Sequence, residues 1–147
     1  MKSVIIGITI ALALVADAQT AFARDLAAKK VTVAATNDEW TRTGVEAKHG
    51  DVVLIVANGQ VKVGEFLGST GPKGVDPTGE GALEAKVGTG AAFKVGNKDF
   101  VIIDEPGMVK LRVRDSKYTD NAGAFKVLVL LIPAERLPVP ETVADED

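Results

Sequence analysis

The chain has 147 residues, 46% of them hydrophobic, with 17 Lys and Arg against 20 Asp and Glu for a formal net charge of −3 at pH 7. A mild negative balance without a basic cluster argues against a nucleic-acid-binding face, which needs concentrated positive charge to displace counterions. The complete lack of cysteine excludes a disulfide framework and a lipid-anchored cysteine, so the fold must rest on its core, on a metal or on partner subunits.

The amino terminus carries Lys2, an apolar run from Val4 to Ala16 broken only by Gly7 and Thr9, and then Ala21-Phe22-Ala23. Small residues at both positions read by signal peptidase, after a short apolar segment, describe a removable secretory signal over residues 1–23. The run is shorter than the roughly 20 residues needed to span a bilayer. The expected protein is therefore exported, periplasmic or extracellular, with no membrane segment once the signal is gone. The remaining length suits one domain able to bury its own core.

From there the chain reads as strands. Lys30–Thr36, Asp51–Asn58, Gln60–Gly64, Ala82–Gly88, Ala91–Val95, Asp99–Asp104, Met108–Arg114 and Phe125–Ile132 are short, β-branched and often alternating. Turn residues separate them, as in His49-Gly50-Asp51, Gly71-Pro72-Lys73-Gly74, Gly96-Asn97-Lys98 and Glu105-Pro106-Gly107. Many short strands at regular spacing predict an all-β sandwich or barrel over residues 24–132. Residues 133–147, with Pro138, Pro140 and the acidic end Asp145-Glu146-Asp147, read as a loose tail.

Four places carry candidate chemistry. His49, the single histidine, has no second His or Cys to complete a transition-metal set and reads as an exposed turn residue. Trp40, the single tryptophan, is either a core residue or a platform for a sugar ring. The long segment Gly64–Gly81 holds Asp76, Thr78 and Glu80, as ligand contacts or as solvated side chains. The loop Asp115-Ser-Lys-Tyr-Thr-Asp120-Asn121 places two carboxylates and an amide between two strands. Ca²⁺ takes six to eight oxygens, and carboxylate, amide and backbone carbonyl oxygens converge readily in such a turn. The competing reading is an Asx turn, whose side chains bond their own backbone. The spacing is not that of an EF-hand, since Asp120 stands where Gly belongs and Lys126 where Glu belongs. No Gly-x-Ser-x-Gly elbow is present, and no carboxylate pair stands out as a glycosidase couple. The expectation is a non-enzymatic module.

The order of motifs adds a resemblance. Trp40-x-x-Thr43-Gly44, Gly50-Asp51 with Ala57-x-Gly59, Gly71-Pro72-x-Gly74, Gly81-Ala82-Leu83-x-x-Lys86-x-Gly88 and the Asp115 to Phe125 block resemble the calcium-dependent galactophilic bacterial lectins of the LecA type. They resemble still more closely the wider set of exported galactose-binding-like domains. The resemblance implies a small jelly-roll β-sandwich with one Ca²⁺ at its edge and a sugar whose hydroxyls complete the coordination. It implies metal ligands at Asp115, Asp120 and Asn121, with backbone carbonyls near Val63 and at Ser116 or Lys117. On the sugar side it implies Asp115 and Asp120, together with Asp76 and Thr78. There, Asp76-Pro77-Thr78-Gly79 replaces the His-Pro-x-Gln of those lectins. The loop after Asp115 is also shorter than theirs. The implied partner is a glycan, galactose-containing in those lectins, bound weakly per site so that homo-oligomerisation adds avidity. The alternatives are a scaffold whose loop calcium only staples, and an accessory module of an extracytoplasmic enzyme.

Overall fold

A computed structural model describes residues 24–138. The expected secretory signal and the acidic end of the tail lie outside the described residues. Among those described, the strands are β1 (Ala27–Ala34), β2 (Thr41–Ala47), β3 (Val52–Lys62), β4 (Ser69–Thr70), β5 (Leu83–Val87), β6 (Phe93–Lys94), β7 (Lys98–Ile102), β8 (Gly107–Val113) and β9 (Ala122–Ile132), followed by a single 3₁₀ turn at Ala134–Arg136.

All pairings are antiparallel. One sheet runs β1-β9-β3, with β4 and β7 both on the far edge of β3, and the other runs β2-β8-β5-β6. Alternation explains the layering. In β3, Val53, Ile55, Ala57 and Val61 turn inward, and in β8 Val109, Leu111 and Val113 do the same, all at most a few per cent exposed. Phe125 of β9 is the largest fully buried side chain. Burying each of these Val, Ile, Leu and Phe side chains contributes about 1.5–3 kcal/mol, so the two inner faces hold the sandwich together without a covalent link.

The all-β sandwich expectation is borne out. Two expected strands, Asp51–Asn58 and Gln60–Gly64, are one. Gly59 sits between them at φ +106°, and a Cβ there would meet the Ala124 carbonyl at 3.1 Å, yet its pairing with Phe125 keeps the β3–β9 register unbroken. β2 was hidden from pattern reading. Its inward residues Thr43, Val45 and Ala47 are small or polar, and its register against β8 shifts between Arg42 and Glu46. Thr43 is nevertheless core, because its hydroxyl donates to the Val109 carbonyl at 2.7 Å and accepts from the Val45 N–H at 3.1 Å.

The boundary expected at Pro133 falls inside a docked segment. Pro133 is buried, and the Ala134 N–H donates to Asp51 at 2.9 Å. Arg24 joins Asp51 through two N–H groups at 3.0 and 2.7 Å and Glu135 through two more at 2.9 Å. Arg136 returns a bond to the Arg24 carbonyl at 2.9 Å. The beginning and the end of the described chain are thus clasped at one pole of the sandwich.

Candidate functional site

The opposite pole holds the loop chemistry. β8 ends at Val113 and β9 starts at Ala122, and the connection is fixed from within. The Tyr118 hydroxyl donates to the Val113 carbonyl at 2.9 Å and accepts the Asp115 N–H at 3.2 Å. Burial pushes the Tyr118 hydroxyl above its ordinary pKa, keeping it a neutral donor. One Asp115 carboxylate oxygen accepts the N–H groups of Ser116 at 2.7 Å and Lys117 at 3.3 Å. That is the Asx turn considered from sequence, and it leaves the second oxygen outside these bonds.

Asn121 is only 7% exposed. Its amide oxygen accepts the Gly64 N–H at 3.1 Å and its amide nitrogen donates to the Ala35 carbonyl at 3.0 Å. This residue stitches the loop to the turn after β3 and to the end of β1. Gly64 has φ +64°, and a Cβ on it would face the Asp120 carboxylate at 3.5 Å. The turn that Gly64 opens is closed by the Val63 N–H on the Gly68 carbonyl at 3.0 Å.

Between the two loops lies an open cleft of about 190 Å³, lined by Val63, Gly64, Glu65, Phe66, Leu67, Glu80, Asp115, Ser116, Lys117 and Asp120. Four of the expected metal positions, Val63, Asp115, Lys117 and Asp120, therefore share one cavity wall, with Asn121 buried behind it. Asp76 and Thr78 do not line the cleft. The Thr78 hydroxyl instead bonds within its own loop, to the Val75 carbonyl at 3.4 Å. Of Asp76, Thr78 and Glu80, Glu80 lines the cleft, beside the Gly81 N–H that donates to the Arg114 carbonyl at 2.7 Å.

The donor set is made of hard oxygens: the Asp115, Asp120 and Glu80 carboxylates, the Asn121 amide oxygen and nearby carbonyls. Among the described residues no group of three or more His, Cys, Asp or Glu side chains is placed to hold a metal. A cation here needs the carbonyls and the amide as well, which is the mixture Ca²⁺ accepts. Lys117 holds the Asp120 carboxylate at 3.3 Å, but it is 69% exposed, so screening leaves that pair weak and easily displaced.

Sequence reading missed the other wall. Phe66 is 97% exposed and Leu67 is 43% exposed, and both line the cleft. The only available signal was an apolar pair in the Gly64–Gly68 turn, where no packing calls for one. Trp40 is neither core nor open platform. The Arg112 guanidinium and the Lys86 ammonium lie 4.4 and 4.7 Å from its ring centroid, a cation–π contact. His49 is a turn residue, its Nδ1 at 2.7 Å from the Asp104 carbonyl.

The two-sheet antiparallel sandwich thus carries at one pole an oxygen-rich cleft with Phe66 on its rim. Among solved structures, the N-terminal domain of EclA, a PllA-like lectin, matches with a TM-score of 0.65 and 31% identity over 75% of this chain and 100% of that domain. The chain belongs to the PllA-like lectin family. No protein-family profile matches it, and neither does any curated protein. No helix among the described residues is long and apolar enough to cross a membrane.

Proposed function

We propose that this protein is an exported, non-catalytic, calcium-dependent carbohydrate-binding module whose site is the cleft between the Gly64–Gly68 turn and the Asp115–Asn121 loop. The observation that carries the reading is the convergence of Val63, Asp115, Lys117 and Asp120 on that one cleft, in a chain of a lectin family. Asp115, Asp120 and Asn121, with the backbone carbonyls of Val63 and Lys117, would hold Ca²⁺. The bound metal supplies open positions for two vicinal sugar hydroxyls, whose oxygens suit a hard cation.

The chain's own residues do the rest. Tyr118 and the Asx turn hold the Asp115 carboxylate in place before ligand arrives, which limits the ordering cost of binding. Glu80 faces the cleft as a hydrogen-bond acceptor for a further hydroxyl. Phe66 offers an apolar plane against which the C–H face of a pyranose can lie. The region that contacts galactose in LecA-type lectins lacks its His and Gln here, so the sugar preference is set by Phe66 and Glu80 instead.

A second reading rests on Asn121. Its amide is already committed to Gly64 and Ala35, as expected if calcium serves only to staple the loop of a scaffold or an accessory module. Thermal melting in chelator and across a Ca²⁺ titration, with Mg²⁺ as control, tests the metal. Saturating Ca²⁺ at one hundred times its Kd adds about 2.7 kcal/mol of stability. A glycan array with and without chelator then tests the sugar. The lectin reading expects retention that requires Ca²⁺ and is lost in Asp115→Ala and weakened in Phe66→Ala. Melting that responds to Ca²⁺ without any glycan retained would make the staple reading correct.

A further inference from the structure

The outer face of the β2-β8-β5-β6 sheet gathers positive charge that the sequence scatters. Val109, Leu111 and Val113 of β8 point into the core, so Lys110 and Arg112 point out. The register sets Lys110 opposite Arg42 of β2 on one side and opposite Lys86 of β5 on the other. Three cations therefore stand in one row across three adjacent strands, with about 4.8 Å from strand to strand. Like charges directly opposite one another on a sheet face are destabilising. Among the described residues no carboxylate forms an ion pair with any of the three. Glu84, in the next row, is engaged by Arg112 at 3.0 Å. Glu46 stands opposite Met108, beyond the register shift of β2, and Asp38 and Glu39 before Trp40 are exposed. A row kept against its own repulsion suits an anion that the chain itself does not supply.

We infer that this face binds an acidic polysaccharide, a glycan chain bearing carboxylate or sulfate groups, independently of the calcium cleft. The step between strands is close to the length of one pyranose unit, so one anion per sugar meets one cation per strand. The Lys86 ammonium is held in position 4.7 Å from the Trp40 ring centroid, a contact that fixes the charge without neutralising it. A single-stranded nucleic acid would also need an open aromatic plane for its bases. Trp40 is half-buried and already faced by Arg112 and Lys86, which favours the polysaccharide.

Trp40 is the single tryptophan and abuts the row, so its fluorescence reports the site directly. Protein expressed from the full chain is titrated in chelator with polygalacturonate, dextran sulfate, neutral dextran and a single-stranded oligonucleotide. A saturable change with at least one acidic polysaccharide, and none with neutral dextran, is expected at low salt. The chelator keeps this result separate from that of the calcium cleft. Near 1 M salt, where charges are screened beyond about 3 Å, the response should vanish. Lys110→Glu should weaken binding at least tenfold, and Lys126→Glu on the other sheet should leave it unchanged. Lys110→Thr should also bind more weakly yet melt no lower than wild type, because it relieves the repulsion in the row. A lower melting temperature would make the row structural and overturn the inference. So would silence toward both acidic polysaccharides, an oligonucleotide bound as tightly as either, or affinity indifferent to Lys110→Glu.

Discussion

Asp51 is the carboxylate on which the fold depends most. It is fully buried and accepts two N–H groups of Arg24, the Lys48 N–H at 2.8 Å and the Ala134 N–H at 2.9 Å. Removing one partner of a buried ion pair leaves the other uncompensated, a loss of about 3–5 kcal/mol. Arg24 keeps part of its side chain in water, so the low end applies. Asp51→Ala is expected to destabilise by about 3 kcal/mol, read from the urea midpoint at unchanged slope. Asp115 and Asp120 are half-exposed and carry few bonds by comparison. Asp115→Ala should therefore leave melting in chelator within about 1 kcal/mol of wild type while abolishing the Ca²⁺-induced rise. That contrast separates a residue kept for the fold from one kept for a ligand.

At the scale of elements, the Val113–Ala122 connection shows how a turn becomes a site. Tyr118→Phe deletes one hydroxyl and orphans both the Val113 carbonyl and the Asp115 N–H. A cost of about 1–2 kcal/mol in melting is expected, with weaker Ca²⁺ affinity by calorimetry because Asp115 loses its anchor. Unchanged affinity would mean that the Asx turn alone positions the carboxylate. The strands β8 and β9 were legible because their inward residues are large and alternate, whereas β3 was legible only as two strands because Gly59 interrupts its pattern. β2 was not, since Thr43 enters the core only through hydrogen bonds that no hydropathy pattern records. The acidic loop was legible as a composition. Its pairing with Val63 and Glu80 was not, because the contact spans dozens of residues of sequence and is made by the Gly64 N–H meeting the Asn121 amide. Phe66 was invisible for a related reason: an apolar residue in a turn reads as unexceptional until its exposure is known.

For the whole molecule, the clasp at the terminal pole sets the acid response. Burial alone would raise the Asp51 pKa, but the Arg24 pair and the backbone donors Lys48 and Ala134 outweigh it and hold the group below its ordinary 3.8. Arg24 likewise draws the exposed Glu135 down from 4.5 to about 2. Both groups bind protons more readily in the unfolded chain, so stability rises with pH through this interval. Their contribution is complete above about pH 5 and is lost as the pH falls toward 2. Acid unfolding followed by fluorescence should show that loss, and Asp51→Asn should remove the part that Asp51 contributes while leaving that of the Arg24–Glu135 pair.

The same clasp has a geometric consequence. Arg24 and Glu135 mark where the described chain enters and leaves, and β3 runs from beside Asp51 to the cleft over 11 residues, about 36 Å at the strand rise. Whatever is joined directly to the described segment at residue 24 or residue 138, whether a resin, a fluorophore or a neighbouring domain, hangs from the pole farthest from the cleft. Attachment directly at residue 24 or residue 138 thus orients the molecule, mouth outward, on a surface that carries it.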